Sequence, residues 1–329
     1  MKTRVKSYEL RVMSYSSKGF TLVELMIAIT ITVLAMAAVY TSFIVQQRSF
    51  TTQDQVAETE LSSKIGFDML VNDIRTAGFG YPDDENPVNG FIGAINVTDG
   101  GINNPDTLTL VSGFRQIATL QNATTVGSNQ IQICYCTAPP CSSAQFNTAN
   151  RSNLSIEGLT FATINAIIVT NPCTAANPII LTLDRDITNS IPAGRPVYLV
   201  EDITYQISGT DLQKVVAGGG AGNVDTIANN IDDFQVACAI DTNADNLIDD
   251  QNLNGKIDPL DYISPPLPVG AKVLAVRVNL LARTAGQDQT LDPNTKPYFA
   301  TGIILENRIT PDTDRFRRRI WSMEVALRN

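Results

Sequence analysis

The chain has 329 residues, of which 43% are hydrophobic and 17% are charged, a composition typical of a globular protein with a buried core. It contains no histidine, so it lacks the commonest general base and metal ligand, and a Ser-His-Asp triad is excluded. The net charge of −9 disfavours general binding to nucleic acid, because phosphates are neutralised by Lys and Arg.

The N-terminal region has the pattern of a membrane anchor. An uncharged, mostly apolar run extends over residues 25–47, which as a helix is long enough to cross a hydrocarbon core about 30 Å thick. The preceding residues 1–19 carry five basic side chains and one acidic side chain, which predicts that they stay in the cytoplasm while the rest is exported. An ordinary secretory signal would be cut after the apolar run at small residues, and no such boundary follows it.

The junction before the apolar run, residues 17–26, reads S-K-G-F-T-L-V-E-L-M. It resembles the class III signal of type IV prepilins, a basic leader followed by G-F-T-L-x-E. The resemblance implies that a prepilin peptidase cuts between Gly19 and Phe20 and N-methylates Phe20, so that the apolar helix is retained. It also implies that Glu24 pairs with the N-terminal amine of a neighbouring subunit and sets its register.

Glu24 also has a physical argument of its own. A carboxylate in a membrane helix costs about 2.5–3.5 kcal/mol on insertion scales, so it usually has a partner and a purpose. The alternative is an interfacial Glu24 that only reaches toward the headgroups. The order of segments is therefore a cleaved leader over 1–19, a transmembrane half-helix over 20–47 and an amphipathic half-helix over 48–80.

The amphipathic half-helix is expected to back a globular head. Its apolar side chains recur every four residues, which predicts a helix face that packs on the head. The helix should end at Gly78, which precedes a proline. The residues of the predicted packing face are Ala57, Leu61, Ile65, Met69, Ile74 and Ala77.

Residues 81–329 alternate between apolar and polar positions and are broken by Gly, Pro, Asn and Asp, which predicts a mostly antiparallel β head. The fold class is thus α+β, a long N-terminal pilin helix packed against this head. The predicted strands are 107–111, 130–134, 179–183, 197–207, 234–240, 273–281 and 298–305.

Several segments of the mature chain are similar to the PilW family of minor pilins. They are L-V-N-D-I-R-T-A-G at 70–78, V-Y-L-V at 197–200, I-D-D-F-Q-V at 231–236, V-R-V-N-L-L-A-R-T at 276–284 and the arginine-rich ending 315–329. The resemblance implies a low-abundance subunit that primes filament assembly or caps the tip and serves motility and adhesion. The implied partners are other minor and major pilins, a tip adhesin, the inner-membrane assembly platform and the prepilin peptidase.

The resemblance also implies a localisation and leaves two alternatives open. The head would be periplasmic before assembly and extracellular on the pilus afterwards. A minor pseudopilin of a type II secretion system shares the prepilin motif and is the first alternative. A membrane-anchored enzyme is the second, although no spacing of acids or nucleophiles argues for it and we predict no catalytic residue.

Residues 241–261 contain two nine-residue units, D-x-N-x-D-N-L-I-D and D-x-N-x-N-G-K-I-D, within a loop that holds six aspartates. Alternating oxygens in a tight loop suit Ca²⁺, which takes six to eight oxygen ligands, so the loop predicts a calcium site. The alternative is a solvated turn between strands. The second unit fits better and offers Asp250, Asn252, Asn254, Lys256, Asp258 and Asp261; the first offers Asp241, Asn243, Asp245, Leu247 and Asp249.

The five cysteines lie beyond the apolar run, where export permits disulfides. One or two bridges are expected and their pairing is left open; a metal site built from the first three cysteines is the weaker alternative. The cysteines are Cys134, Cys136, Cys141, Cys173 and Cys238. A final basic cluster, Arg315 with residues 317–319, could contact phosphates, but a solvated or subunit-contacting edge is the favoured interpretation, so nucleic acid is not expected as a partner.

Overall fold

The structure is a computed structural model that describes residues 19–79, 94–134, 153–168, 178–216, 223–268, 270–289, 291 and 314–327. The chain divides into two units, with the boundary between Asp54 and Gln55. The elements are α1 (Leu22–Thr76), β1 (Ile95–Thr98), β2 (Thr107–Leu120), β3 (Gln130–Cys134), β4 (Asn153–Ile156), β5 (Thr160–Ile168), β6 (Ile179–Leu183), β7 (Pro196–Ser208), β8 (Asp211–Val216), β9 (Val224–Ala228), β10 (Ile231–Asp241), β11 (Lys272–Arg283) and β12 (Arg318–Ala326).

The first unit contains the apolar part of α1. Within the described residues, most of its large side chains from Leu22 to Val45 are more than half exposed, Ile44 being an exception. Among the described residues, α1 alone is long and apolar enough to cross a membrane. The helix continues through Thr41 and ends before Gly78, whose φ of 81° suits a glycine stop.

The second unit begins with the C-terminal half of α1, and here the predicted packing face is only partly confirmed: Ile74 and Ala77 are buried as predicted, whereas the four earlier residues are not. Leu61, Ile65 and Met69 are 65%, 51% and 42% exposed, and Ala57 is exposed as well. Small side chains lie on the face that meets the sheets, because they let the helix approach closely. Gly66 is an example: a Cβ there would lie 2.8 Å from Ala228 Cβ. The buried residues of the helix are Thr59, Ser63, Gly66, Phe67, Leu70, Val71 and Ile74, with Ala77 following.

That buried face belongs to a core that we call the helix-backed core. Within the described residues, β10, β11 and β12 form a three-stranded antiparallel sheet, the small sheet. Its inner side chains, such as Phe234, Val278 and Val325, join the helix and the first residues of β2 in one cluster. The ends of β7 and β8 contribute Tyr205 and Leu212 to the same cluster.

A second core lies inside a closed barrel. In the described part of the chain, the order of the large sheet is β1-β2-β3-β6-β5-β4-β7-β8-β9, and β2 also pairs with β7. That extra ladder closes β2, β3, β6, β5, β4 and β7 into a ring of antiparallel strands. Every strand of this barrel contributes Ile, Leu, Val or Ala to its interior, and the buried Ile187 and Ile191 come from the loop before β7.

The two cores share β2 and β7, which are 14 and 13 residues long. Leu108 and Leu110 of β2 lie in the helix-backed core, whereas Ile117 and Leu120 lie in the barrel. The ladder between the two strands shifts register between Ser112 and Arg115, as a β-bulge does, close to the place where the side chains change core.

The strands predicted from the sequence are confirmed wherever the structure describes them, and the fold class is confirmed with them. The segment 298–305 lies outside the described residues. The strands β1, β4, β5, β8 and β9 were not predicted, nor was the barrel.

Candidate functional sites

The prepilin junction lies at the start of α1. Gly19 and Phe20 precede the helix and are exposed, Phe20 to 89%. The backbone N–H and the hydroxyl of Thr21 donate to Glu24 Oε2 at 2.9 and 3.0 Å, and the backbone N–H of Glu24 donates to Thr21 Oγ1 at 3.2 Å. This is a reciprocal capping box, which satisfies donors that a helix start leaves without partners.

The capping box is a feature of the site that the sequence reasoning missed. The signal was present as Thr21 followed three residues later by Glu24, the S/T-x-x-E pattern that precedes an apolar run. Glu24 therefore has a local structural role in this chain. Its pairing with the amine of another subunit is untested and stays a prediction.

The two acidic units fold alike in the loop between β10 and β11. In the first, Asn246 N–H donates to Asp241 Oδ2 at 2.8 Å; in the second, Gly255 N–H donates to Asp250 Oδ2 at 2.5 Å. The left-handed residues also coincide: the fourth and sixth positions have φ of 63° and 61° in one unit, and 57° and 79° in the other. Asn246 thus adopts the left-handed conformation that Asn tolerates.

The correspondence extends to the alternate positions of each unit. Side-chain oxygens at the third and fifth positions accept the N–H two residues later, at 2.8–3.0 Å in all four cases. The acceptors are Asn243, Asp245, Asn252 and Asn254. The repeat seen in the sequence is therefore a repeat of backbone geometry.

The carboxylates of the loop are held by its own donors. Desolvation raises the pKa of Asp241, but backbone N–H donors, led by that of Asn246, outweigh it and hold the pKa below its usual value. The N–H of Leu260 and the amide of Asn254 lower the pKa of Asp258. Asp261 is fully buried and accepts the N–H groups of Gln251 and Asp258 at 2.8 and 2.7 Å.

Over the described residues, no group of three or more Asp, Glu or Cys side chains is arranged to hold a metal ion. A calcium site in this loop would thus depend on Asn amide oxygens and backbone carbonyls as much as on carboxylates. Leu247 and Lys256 lie at the seventh positions of the two units, where a calcium loop would bind the ion through a backbone carbonyl oxygen. The calcium prediction is neither confirmed nor contradicted by this geometry.

The C-terminal arginines are bound within the protein. Arg318 is buried and pairs with Asp232 at 2.6 Å and with Asp314 at 2.5 Å. Arg317 pairs with Asp288 at 2.6 Å, and Arg315 donates to the Gln289 side chain at 2.6 Å. The cluster therefore joins β12 to its neighbours, and its charge is largely compensated by acids on the same head.

The cysteines do not settle the disulfide prediction. Cys238 is fully buried in the helix-backed core, on β10. Cys134 ends β3, but its side chain lies outside the described residues, as do Cys136, Cys141 and Cys173. The pairing stays a prediction.

Two regions of the sequence match known families. Residues 15–40 match the prokaryotic N-terminal methylation motif, and residues 197–329 match the family described as type IV pilus-assembly protein W, or PilW. No curated protein matches the sequence significantly. The chain is similar to a solved structure, a type IV-like pilin from Thermus thermophilus, with 11% sequence identity. The alignment covers 81% of this chain and 95% of that chain, at a TM-score of 0.35.

A prepilin-type methylation motif at the start of an apolar helix, followed by an antiparallel β head, defines a type IV pilin-like protein. More narrowly, its C-terminal region, residues 197–329, is similar to the PilW family of type IV pilus-assembly proteins. Pilins are structural proteins that are anchored in the membrane through the N-terminal helix and interact with other pilus components.

The PilW match begins at Val197, within β7. Most of the barrel, β3 to β6 and the barrel part of β2, thus precedes the matched region. Of the segments similar to PilW, 70–78, 231–236 and 276–284 contribute to the helix-backed core, whereas 197–200 contributes Val197 and Leu199 to the barrel. Asp73, for example, accepts a hydrogen bond from the Tyr205 hydroxyl and pairs with Lys214 at 2.5 Å, which fastens α1 to the large sheet.

Proposed function

We propose that this protein is a minor pilin that primes assembly of a type IV pilus or caps its tip, in support of twitching motility and adhesion. The observation that carries the proposal is the apolar part of α1, most of whose large side chains are exposed among the described residues. Such a surface requires lipid before assembly and the helices of other subunits afterwards. The acidic head would then face the periplasm first and the exterior of the cell on the pilus.

The proposed partners follow from the same arrangement. The exposed Gly19–Phe20 junction is the substrate of the prepilin peptidase, and the freed Phe20 amine is the group that we expect to be methylated. Other minor and major pilins, a tip adhesin and the inner-membrane assembly platform are the assembly partners. Because Arg317, Arg318 and Arg319 are paired with acidic side chains, we do not expect nucleic acid binding, and we propose no catalytic activity.

A deletion of the gene tests this proposal against the pseudopilin alternative. We expect the deletion strain to lose most surface pili and twitching motility, and to keep secretion of type II substrates. Antibodies against the head should label the ends of sheared wild-type filaments. Normal piliation together with a secretion defect would instead establish the pseudopilin.

The role of Glu24 can be separated from its capping box. Glu24→Gln retains a residue suited to the third helical position of a capping box but removes the charge, whereas Glu24→Ala removes both. If Glu24 pairs with a neighbouring amine, both variants should insert in the membrane and both should be lost from sheared pili. Normal incorporation of Glu24→Gln would show that capping suffices and would contradict the pairing.

Calcium binding is a second candidate activity of the head. The observation that favours it is the equivalence of the two acidic units in hydrogen bonds and in left-handed positions. Asp250, Asn252, Asn254 and Asp258 would supply side-chain oxygens in the second unit. With Asp261 in place of a longer glutamate and already bound to backbone donors, we propose weak binding, in the range of about 10⁻⁴–10⁻³ M found in extracellular modules.

The test is calorimetry with Ca²⁺ on the full chain in detergent, paired with thermal unfolding in calcium and in chelator. Asp245→Asn and Asp250→Asn probe the two units separately, and Asp225→Asn on the exposed part of β9 is the matched control. We expect heat and a higher Tm in the wild type and the control, and a smaller response in at least one variant. Absence of both effects in the wild type would remove the proposal.

A further inference from the structure

The outer edge of β10 is covered by loops instead of a strand. Ile263 exchanges two backbone hydrogen bonds with Cys238 at 2.8 and 2.9 Å. Residues 99–106, which connect β1 and β2, cover the same edge nearer the start of β10. The backbone N–H of Asp106 donates to Phe234 O at 2.7 Å, and the side-chain amide of Gln235 donates to Asn104 O at 2.7 Å.

The side chain of Asp106 adds two hydrogen bonds to this contact between the loop 99–106 and β10. Its Oδ2 accepts the N–H of Val236 at 2.9 Å, and its Oδ1 accepts the N–H of Gly100 at 3.1 Å. The residue is only 1% exposed and immediately precedes β2. A single carboxylate thus links the large sheet, the small sheet and the loop between β1 and β2.

The charges that face this carboxylate are also acidic. Asp99 lies on the same loop and Asp233 lies on β10, and both disfavour a second negative charge. Burial, the largest effect, and these two acids raise the pKa of Asp106 to about 6, against the opposing effect of the two N–H donors.

The two hydrogen bonds do not respond equally to a proton. A protonated carboxyl oxygen is a poor acceptor, so one N–H must lose its partner. Val236 is fully buried, and an unpartnered N–H there would cost about 1–3 kcal/mol, whereas Gly100 is exposed and its N–H can turn to water. The proton therefore belongs on Oδ1, and the bond to Gly100 is the one that is lost.

We propose that Asp106 is a pH-sensitive joint of the head: proton uptake on its side chain releases the loop between β1 and β2 at Gly100, while the contact with β10 is kept. This inference is independent of the role in the pilus. Because the folded state binds a proton that the unfolded chain does not, the free energy of unfolding should fall as the pH rises from about 4 to about 6.

Hydrogen exchange of the full chain in detergent micelles, corrected for intrinsic rates, tests the release. Between pH 7.5 and pH 5, one unit below the pKa, we expect the protection of the segment 99–101 to fall about tenfold, and that of Val236 to be unchanged. Asp106→Asn, which is neutral at both values, should give the same protection at each pH. Asp225→Asn is the control for an exposed carboxylate and should behave as the wild type.

A wild-type measurement keeps the proposal testable if the variant does not fold. The carboxyl carbon of Asp106, followed by NMR after ¹³C labelling of aspartate, should titrate near pH 6. A midpoint near the usual value of 3.8 would overturn the proposal. So would unchanged protection of residues 99–101 across the pH range, or an equal pH response in Asp106→Asn.

Discussion

A hydrogen bond between Trp321 and Ser63 joins β12 to α1. The indole N–H of Trp321 donates to Ser63 Oγ over 2.9 Å, and the same hydroxyl, fully buried, lies 2.6 Å from Thr59 O, to which it donates. Trp321 also lies 6.4 Å from Phe67, between ring centroids. The C-terminal half of α1 is therefore held by the strand that ends the described head.

This bond should contribute measurably to stability. We expect Trp321→Phe and Ser63→Ala each to lower the free energy of unfolding, and the double variant to show a coupling of about 0.5–1.5 kcal/mol, the net value of a hydrogen bond. Denaturant unfolding of the full chain in detergent measures it. Strictly additive effects of the two substitutions would contradict the contact.

Gly66 is predicted to resist substitution although it lies in the middle of a helix. Alanine would gain about 1 kcal/mol in helix propensity, but its Cβ would lie 2.8 Å from Ala228 Cβ and 2.9 Å from Ile227 O. Because β9 must then move, we expect a net loss of about 1–2 kcal/mol. The exposed Lys64→Ala is the matched control and should change stability by less than about 0.5 kcal/mol. A stabilised Gly66→Ala variant would show that the helix lies farther from β9.

The corrected helix face gives a second pair of matched variants. Leu70 is fully buried, so Leu70→Ala should cost about 2–5 kcal/mol. Ile65, one of the residues first assigned to the core, is 51% exposed, and Ile65→Ala should cost less than about 0.5 kcal/mol. Unfolding midpoints of the two variants compare the faces directly, and the reverse order of costs would restore the face first predicted.

The ion pair of Arg318 and Asp314 predicts an acid-dependent loss of stability. The hydrogen bonds from Arg318 hold the pKa of Asp314 below its usual value of 3.8. Its contribution is therefore present above about pH 4 and is lost as the pH falls toward the lowered pKa. The Tm difference between the wild type and Asp314→Asn should shrink below pH 4.

Arg318→Gln offers a separate measure of the same pair. It should cost about 1.5–3 kcal/mol at pH 7, because Asp232 would lose its bond to the buried Arg318 while it keeps its pair with Arg283. Arg319→Gln, at an exposed pair with Glu60, is the control and should cost under about 1 kcal/mol. Equal effects of the two substitutions would show that burial of Arg318 does not matter.

The sequence predicted those parts of the fold that depend on local patterns. Period-two runs located β2, β3, β6, β7, β10 and β11, and Gly78 located the end of α1. The predicted packing face was right at Ile74 but wrong at Leu61 and Ile65, which a count of apolar residues favours. Ser63 and Gly66 are buried there instead, and Gly66 leaves no room for a Cβ.

The barrel could not be predicted because its closure depends on a ladder between residues about 90 positions apart, such as Thr109 with Thr204. The residues near Glu24 show the opposite case. The hydrogen bonds between Thr21 and Glu24 depend only on residues three positions apart, and the spacing T-x-x-E predicts them.

The sharing of β2 and β7 between the barrel and the helix-backed core has a mechanical consequence. A load applied along these two antiparallel strands is borne in shear, by many ladder hydrogen bonds at once, instead of breaking them one after another. Through these two strands, a pull on the barrel would therefore reach the helix-backed core, to which they contribute Leu108 and Tyr205. Under tension, the two cores of the head should therefore resist separation from each other.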